Sequence, residues 1–144
     1  MIRQLTSETA RTIYCAGCEK NISARLTTGA EIYPDRPDLY SLPFWICDWC
    51  NNYVGCHHKT VNPTTPLGII PTKKLRYARR QIHLLLDPLW QSNRIKRGQA
   101  YAYVEHRLGR PYHNGEIKTL DEARDIYRIV ATLHNEILEG VNSD

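Results

Sequence analysis

Cys15-Ala16-Gly17-Cys18 and Phe44-Trp45-Ile46-Cys47-Asp48-Trp49-Cys50, with 28 residues between the inner cysteines, set the architecture of this chain. Each Cys-x-x-Cys knuckle lets two thiolates reach one ion while the intervening amides point at the sulfurs. Two knuckles together supply the four soft ligands of a closed, tetrahedral structural zinc site. The stretch between them is longer than in the shortest ribbon templates, so it must fold strands of its own. Ordinary buried or disulfide-bonded cysteines are the alternative. Five cysteines, with Cys56 left over, do not add up to a disulfide framework. Met1-Ile2-Arg3-Gln4-Leu5-Thr6 lacks the charged-then-apolar layout of a secretory signal, and no apolar run reaches membrane-spanning length. The expectation is a cytoplasmic chain with no membrane partner, in a reducing compartment where thiols stay available for metal.

Around the knuckles the sequence reads as short strands and turns. Thr12-Ile13-Tyr14 leads into the first knuckle, and Glu31-Ile32-Tyr33, Phe44-Trp45-Ile46 and Asn52-Tyr53-Val54 are aromatic and β-branched, each bounded by Gly, Pro or Asp. The loop 34–43 holds Pro34, Pro37 and Pro43, which make it rigid and irregular. Residues 59–71, with Pro63, Pro66, Gly68 and Pro71, form a connector without regular structure.

Beyond it the period changes to helical. Thr72 suits an N-cap, and Leu75, Ala78, Ile82, Leu85, Leu86 and Leu89 follow one helix face up to Pro88, which should kink or end the helix near Asp87. A second helix is expected from Arg94 to Leu108, stopping at Gly109. A third opens with the capping box Thr119-x-x-Glu122, buries Ala123, Ile126, Tyr127, Val130, Leu133 and Ile137, and ends at Gly140. The fold class is therefore α+β: a small four-Cys zinc-ribbon-like β module over residues 1–70, then about three α-helices over 71–144 packed on it. The zinc replaces core that so small a strand-rich half cannot bury by itself.

The formal net charge is only +4, but it is unevenly spread. Lys73, Lys74, Arg76, Arg79, Arg80, Arg94, Lys96, Arg97, Arg107 and Arg110 face only Asp87 and Glu105 within residues 73–110. Such a block favours polyanions, and arginine offers a bidentate fork to phosphate or to guanine. A merely solvated charged face is the plainer alternative. Tyr77 and Tyr103, off the apolar stripes, suit stacking on unpaired bases, whereas Trp45, Trp90 and Tyr101 read as core. Arg79, His83 and Asp87 lie at i, i+4 and i+8, and Cys56-His57-His58 follows the second knuckle. His57, His83 and Asp87 could together hold a catalytic metal or activate water. The plainer reading is a helix-surface ion pair of Arg79 and Asp87 with His83, or a buried polar link to the Gly55–His58 turn. Cys56 reads as an exchangeable fifth thiol or as a buried structural one.

A set of longer matches carries a resemblance. It comprises Cys15-x-x-Cys18, Tyr33-Pro34-x-Arg36-x-Asp38-Leu39-Tyr40, Phe44-Trp45-x-Cys47-x-x-Cys50, Tyr53-Val54-Gly55-Cys56-His57, Pro66-Leu67-Gly68, and Leu75-Arg76-x-x-Arg79 with His83, Asp87 and Trp90. From about Cys15 to Tyr101 the chain resembles a zinc-finger-containing domain family of unknown function, found in small bacterial and phage or prophage proteins. The resemblance implies bound zinc and suggests a mobile-element setting; it implies no activity.

The reading that follows is a zinc-stabilised nucleic-acid-binding protein of phage or prophage type. It would act on DNA or RNA through Lys73, Lys74, Arg76, Arg79, Arg80, Arg94, Lys96 and Arg97. Two alternatives stand beside it: a metal-dependent nuclease using His57, His83 and Asp87, and a module that binds and inhibits a host defence protein.

Overall fold

A computed structural model describes residues 9–142, so the reading of Met1–Thr6 lies outside the described residues. The chain divides into two compact units, one up to Lys73 and one from Lys74 onward.

The first unit is an antiparallel meander of four strands: β1 (Ala10–Cys15), β2 (Lys20–Thr28), β3 (Pro43–Ile46) and β4 (Tyr53–Gly55), neighbours in that order. Ile13 pairs with Ile22, Leu26 with Trp45, and Trp45 with Val54. Because side chains alternate across a pleated strand, this register gathers Ile13, Cys15, Ile22, Ala24, Trp45, Cys47, Val54 and Cys56 into one core. Around Phe44 the aromatic rings instead meet one another: Tyr33, Phe44 and Tyr53 make three edge-on contacts, and the Tyr33 and Tyr53 hydroxyls lie 2.7 Å apart.

Two expectations for this unit need correction. Glu31-Ile32-Tyr33 is not a strand; Gly29–Ile32 forms one helical turn, α1, closed by the Tyr33 amide on the Gly29 carbonyl at 2.7 Å. The strand lies just before it, over Lys20–Thr28, where Ile22 and Ala24 alternate with exposed polar residues. The connector is not wholly irregular either. Ile70 is fully buried and pairs in parallel beside Cys15, its amide on Tyr14 and its carbonyl taking the Ala16 amide, each at 2.9 Å.

The second unit holds α2 (Lys73–Gln91) from its second residue on, with α3 (Arg97–Leu108) and α4 (Leu120–Asn142). Leu75, Ile82, Leu86 and Leu89 form the buried stripe of α2. Pro88 does not end this helix, which continues to Gln91. Proline removes the hydrogen bond to the residue four earlier, here Leu84, which lies on the exposed side of the helix at 54% exposure, where the loss is best tolerated. The stop is Asn93, left-handed at φ 63°, with its amide on the Trp90 carbonyl. Helix α3 buries Ala100 and Val104 and ends at left-handed Gly109; it starts at Arg97 rather than Arg94, where Gln99 reaches back to the Lys96 amide at 2.9 Å. Thr119 Oγ1 accepts the Glu122 amide at 3.1 Å and opens α4, whose buried face is Ala123, Ile126, Val130 and Leu133. Tyr127, expected in that face, is 41% exposed, and the helix passes Gly140 to Asn142.

Candidate metal centre and cationic helices

The two knuckles are built alike. Cys15 ends β1 and Cys47 follows β3 directly. In each, the residue four positions on (Glu19 at φ 58° and Asn51 at φ 64°) adopts a left-handed turn and donates its amide to the first cysteine's carbonyl, at 2.8 and 2.7 Å. That conformation is uncommon outside glycine, and it curls each knuckle so that both thiols face the same point. The result is a four-sulfur cluster, Cys15, Cys18, Cys47 and Cys50, whose Sγ atoms all lie within 4.8 Å of one another.

Cys15 and Cys50 Sγ are 3.4 Å apart, and Cys18 and Cys47 Sγ 3.7 Å. A disulfide needs about 2 Å, so the sulfurs are not bonded in pairs. A zinc ion with Zn–S bonds of about 2.3 Å gives tetrahedral edges of about 3.8 Å, close to both separations. The surroundings fit as well. Burial pushes the Cys15 thiol up to about 12, against the pull of the Cys18 and Gly17 amides on its sulfur. A buried thiol that resists ionising alone, as Cys15 does, becomes a thiolate when a divalent cation binds its sulfur. Asn52 Nδ2 donates to Cys50 Sγ at 3.2 Å, an outer contact of the kind that orients ligands.

Arg25 on β2 braces the second knuckle, a role that nothing in its local sequence announces. Its guanidinium binds Asp48, inside Cys47-x-x-Cys50, through two bonds of 2.8 Å, and Glu31 on α1 at 3.0 and 3.1 Å. Arginine between them holds both carboxyls below the usual carboxylate range. Only its position opposite Ile46 in the ladder, next to Cys47, signals this role.

Cys56 is buried in the sheet core, where desolvation pushes its thiol up to about 11, and it is not among the four converging sulfurs. His57, in the first unit, is exposed, and its amide donates to the Thr65 carbonyl. In the second unit His83 Nδ1 and Asp87 Oδ1 meet at 3.1 Å, as the i, i+4 spacing foresaw. Among the described residues the four cysteines are the group arranged to hold a metal ion.

The cations divide by environment. Lys73, Lys74 and Arg80 are exposed on α2, and Arg94, Lys96 and Arg97 on and just after the α2–α3 turn. Arg97 stacks over Tyr101 and Trp90, 4.6 and 5.6 Å from the ring centres. Arg76 is half-buried. Arg79 is withdrawn: burial lowers its pKa, and its Nη1 is shut off from solvent without a hydrogen-bond partner.

Residues 11–135 match a zinc-finger-containing domain family. The chain belongs to this family. The match runs past Tyr101, where the sequence resemblance stopped, through α3 and into α4. No curated protein and no solved structure matches the chain. Family and geometry agree on the resident metal, a structural zinc ion held by Cys15, Cys18, Cys47 and Cys50. With four protein sulfurs the coordination is closed, so the zinc braces the fold and leaves no open position for substrate. No helix among the described residues is long and apolar enough to cross a membrane.

Proposed function

We propose that this zinc-finger-containing protein binds nucleic acid through the cations of α2 and the α2–α3 turn, in the mobile-element setting that the resemblance suggests. One contrast carries the reading. Arg25, Arg36, Arg110, Arg124 and Arg128 each pair with a carboxylate. Lys73, Lys74, Arg80, Arg94, Lys96 and Arg97 are exposed and pair with none among the described residues. Cations left together without counter-charges repel one another, and a phosphate backbone relieves that repulsion while releasing its own counterions. Lys73 and Lys74 sit at the start of α2, where the helix dipole disfavours cations; an anion there offsets the cost. Phosphate contacts position a protein without reading bases, so binding is sequence-neutral and salt-sensitive.

The test is charge reversal at exposed positions. Lys74→Glu, Arg80→Glu and Lys96→Glu together should weaken binding to DNA and RNA of every sequence tried. The slope of log affinity against log salt should shrink by about 0.7–0.9 for each phosphate no longer neutralised. Unchanged affinity overturns the reading. So does a single protein partner that persists at high salt after nuclease treatment while nucleic acid does not bind.

A further inference from the structure

Between α2 and α4 lies a groove of about 310 Å³ lined by Tyr77, Ala78, Gln81, Ala123, Arg124, Tyr127 and Arg128. Tyr77 is 66% exposed and Tyr127 41% exposed. Both rings stand outside the buried stripes of their helices, so packing of the core does not account for them. Ala78 and Ala123 are small residues one position from Tyr77 and four from Tyr127, and they leave the space between the helices open. Gln81 adds one carbonyl acceptor and an amide with two donors. Two tyrosines, small neighbours and one amide make a slot suited to a flat heteroaromatic ring.

We infer that this groove seats an unpaired base of single-stranded nucleic acid; the inference rests on the proposed nucleic-acid binding. The charges around it favour this occupant. On α4, Asp121 pairs with Arg124 at 2.9 Å and Asp125 with Arg128 at 3.5 Å, so that rim is close to neutral. The α2 rim is not balanced in this way. Lys73 lies one turn before Tyr77, Lys74 one turn before Ala78, and Arg80 adjoins Gln81; all three are exposed. Residues three and four apart share a helix face, so the unpaired cations run along the lip of the slot, where the phosphates flanking a seated base would lie. Bases of a duplex are stacked inward and cannot present a face to the tyrosines. Single strands can, and stacking on aromatics tolerates any base. The groove therefore adds a preference for single strands to a backbone contact that alone has none.

The zinc-loaded full-length protein should be titrated with a labelled single strand, the same strand as a duplex, and an abasic strand of equal length. The single strand should bind about tenfold or more tighter than the abasic one, the size expected of stacking by one or two bases. Tyr77→Ala and Tyr127→Ala should each erase most of that margin and leave duplex binding unchanged, while Tyr77→Phe and Tyr127→Phe should keep it. Both side chains are exposed enough that these variants fold, which an unchanged thermal melt verifies. Equal affinity for abasic and normal strands, or a margin indifferent to both alanine variants, overturns the groove and leaves backbone binding standing. Binding to none of the three overturns the underlying reading and the groove with it.

Discussion

A β-carbon at Gly17 would stand 2.5 Å from Asn52 Nδ2 and 3.2 Å from Cys50 Sγ, so the first knuckle closes on the second only because nothing projects there. Gly17→Ala can be accommodated by swinging the Asn52 amide away, which breaks its bond to the sulfur. The protein should fold with zinc bound about tenfold more weakly, the loss usual for an outer-sphere contact. Competition against a colorimetric chelator reads this, and Asn52→Ala should reproduce most of it. Tyr112 offers a second test. Its ring is buried beside Tyr101, with centroids 5.4 Å apart, and its hydroxyl donates to Asn114 Oδ1 at 3.0 Å. Burial, then the neighbouring Tyr101 and Asp87, hold its pKa well above the usual tyrosine range. A group whose pKa is raised in the folded state contributes stability below its unfolded value, about 10, and that contribution is lost as pH climbs through and beyond it. Tyr112→Phe should cost about 1 kcal/mol at neutral pH, where the hydrogen bond is lost, yet melt at higher temperature relative to the parent as pH passes about 10. A pH series of thermal melts that runs parallel for the two proteins contradicts this.

Two glycines predict opposite outcomes for the elements that hold them. At Gly29 an added β-carbon would come 1.8 Å from the Leu39 carbonyl oxygen, which is backbone. Gly29→Ala should therefore push the α1 turn off the 37–42 segment and lower the melting temperature. Gly98 meets nothing within 4 Å and sits in the first turn of α3. Gly98→Ala should stabilise by up to about 1 kcal/mol, since alanine loses less backbone entropy on entering a helix. The same elements mark what could be read in advance. Strands β1, β3 and β4 and all three long helices were legible because apolar period and caps are local signals. Strand β2 gives no such signal, because the polar residues of Asn21-Ile22-Ser23-Ala24-Arg25 hide a period of two whose inward members are a lone isoleucine and an alanine. Glu31-Ile32-Tyr33 looked like a strand because its composition is β-like. What overrides it is the close approach of Leu39 to Gly29, a contact across ten residues that propensity does not carry. Pro88 sits inside α2 rather than at its end because an exposed turn tolerates a missing hydrogen bond, and Asn93, a residue suited to left-handed backbone, holds the stop.

The two units draw on different sources of order, and metal removal should separate them. Chelation should abolish the ordered environment of Trp45 at the centre of the sheet core and leave much of the helical circular dichroism of α2, α3 and α4. Structural zinc contributes roughly 10–16 kcal/mol in small fingers, comparable with the whole stability of a domain. A single cooperative loss of both signals would contradict the separation. The metal ligands were legible because four cysteines in two short spacings state their chemistry locally. The cationic face was legible in part: composition located the arginines but could not tell that Arg79 turns inward while Arg80 stays in water. The groove between α2 and α4 was not legible, since its two tyrosines lie fifty residues apart and Tyr127 reads as one more member of an apolar stripe. One link joins the metal to the rest of the first unit. The hydrogen bonds of Tyr14 and Ala16 to Ile70 straddle Cys15, so the ion's grip on that sulfur also pins the far end of the 57–69 segment. A cell short of zinc would release that end, offer the exposed stretch around Lys59 to its proteases, and so set the protein's lifetime by its metal supply.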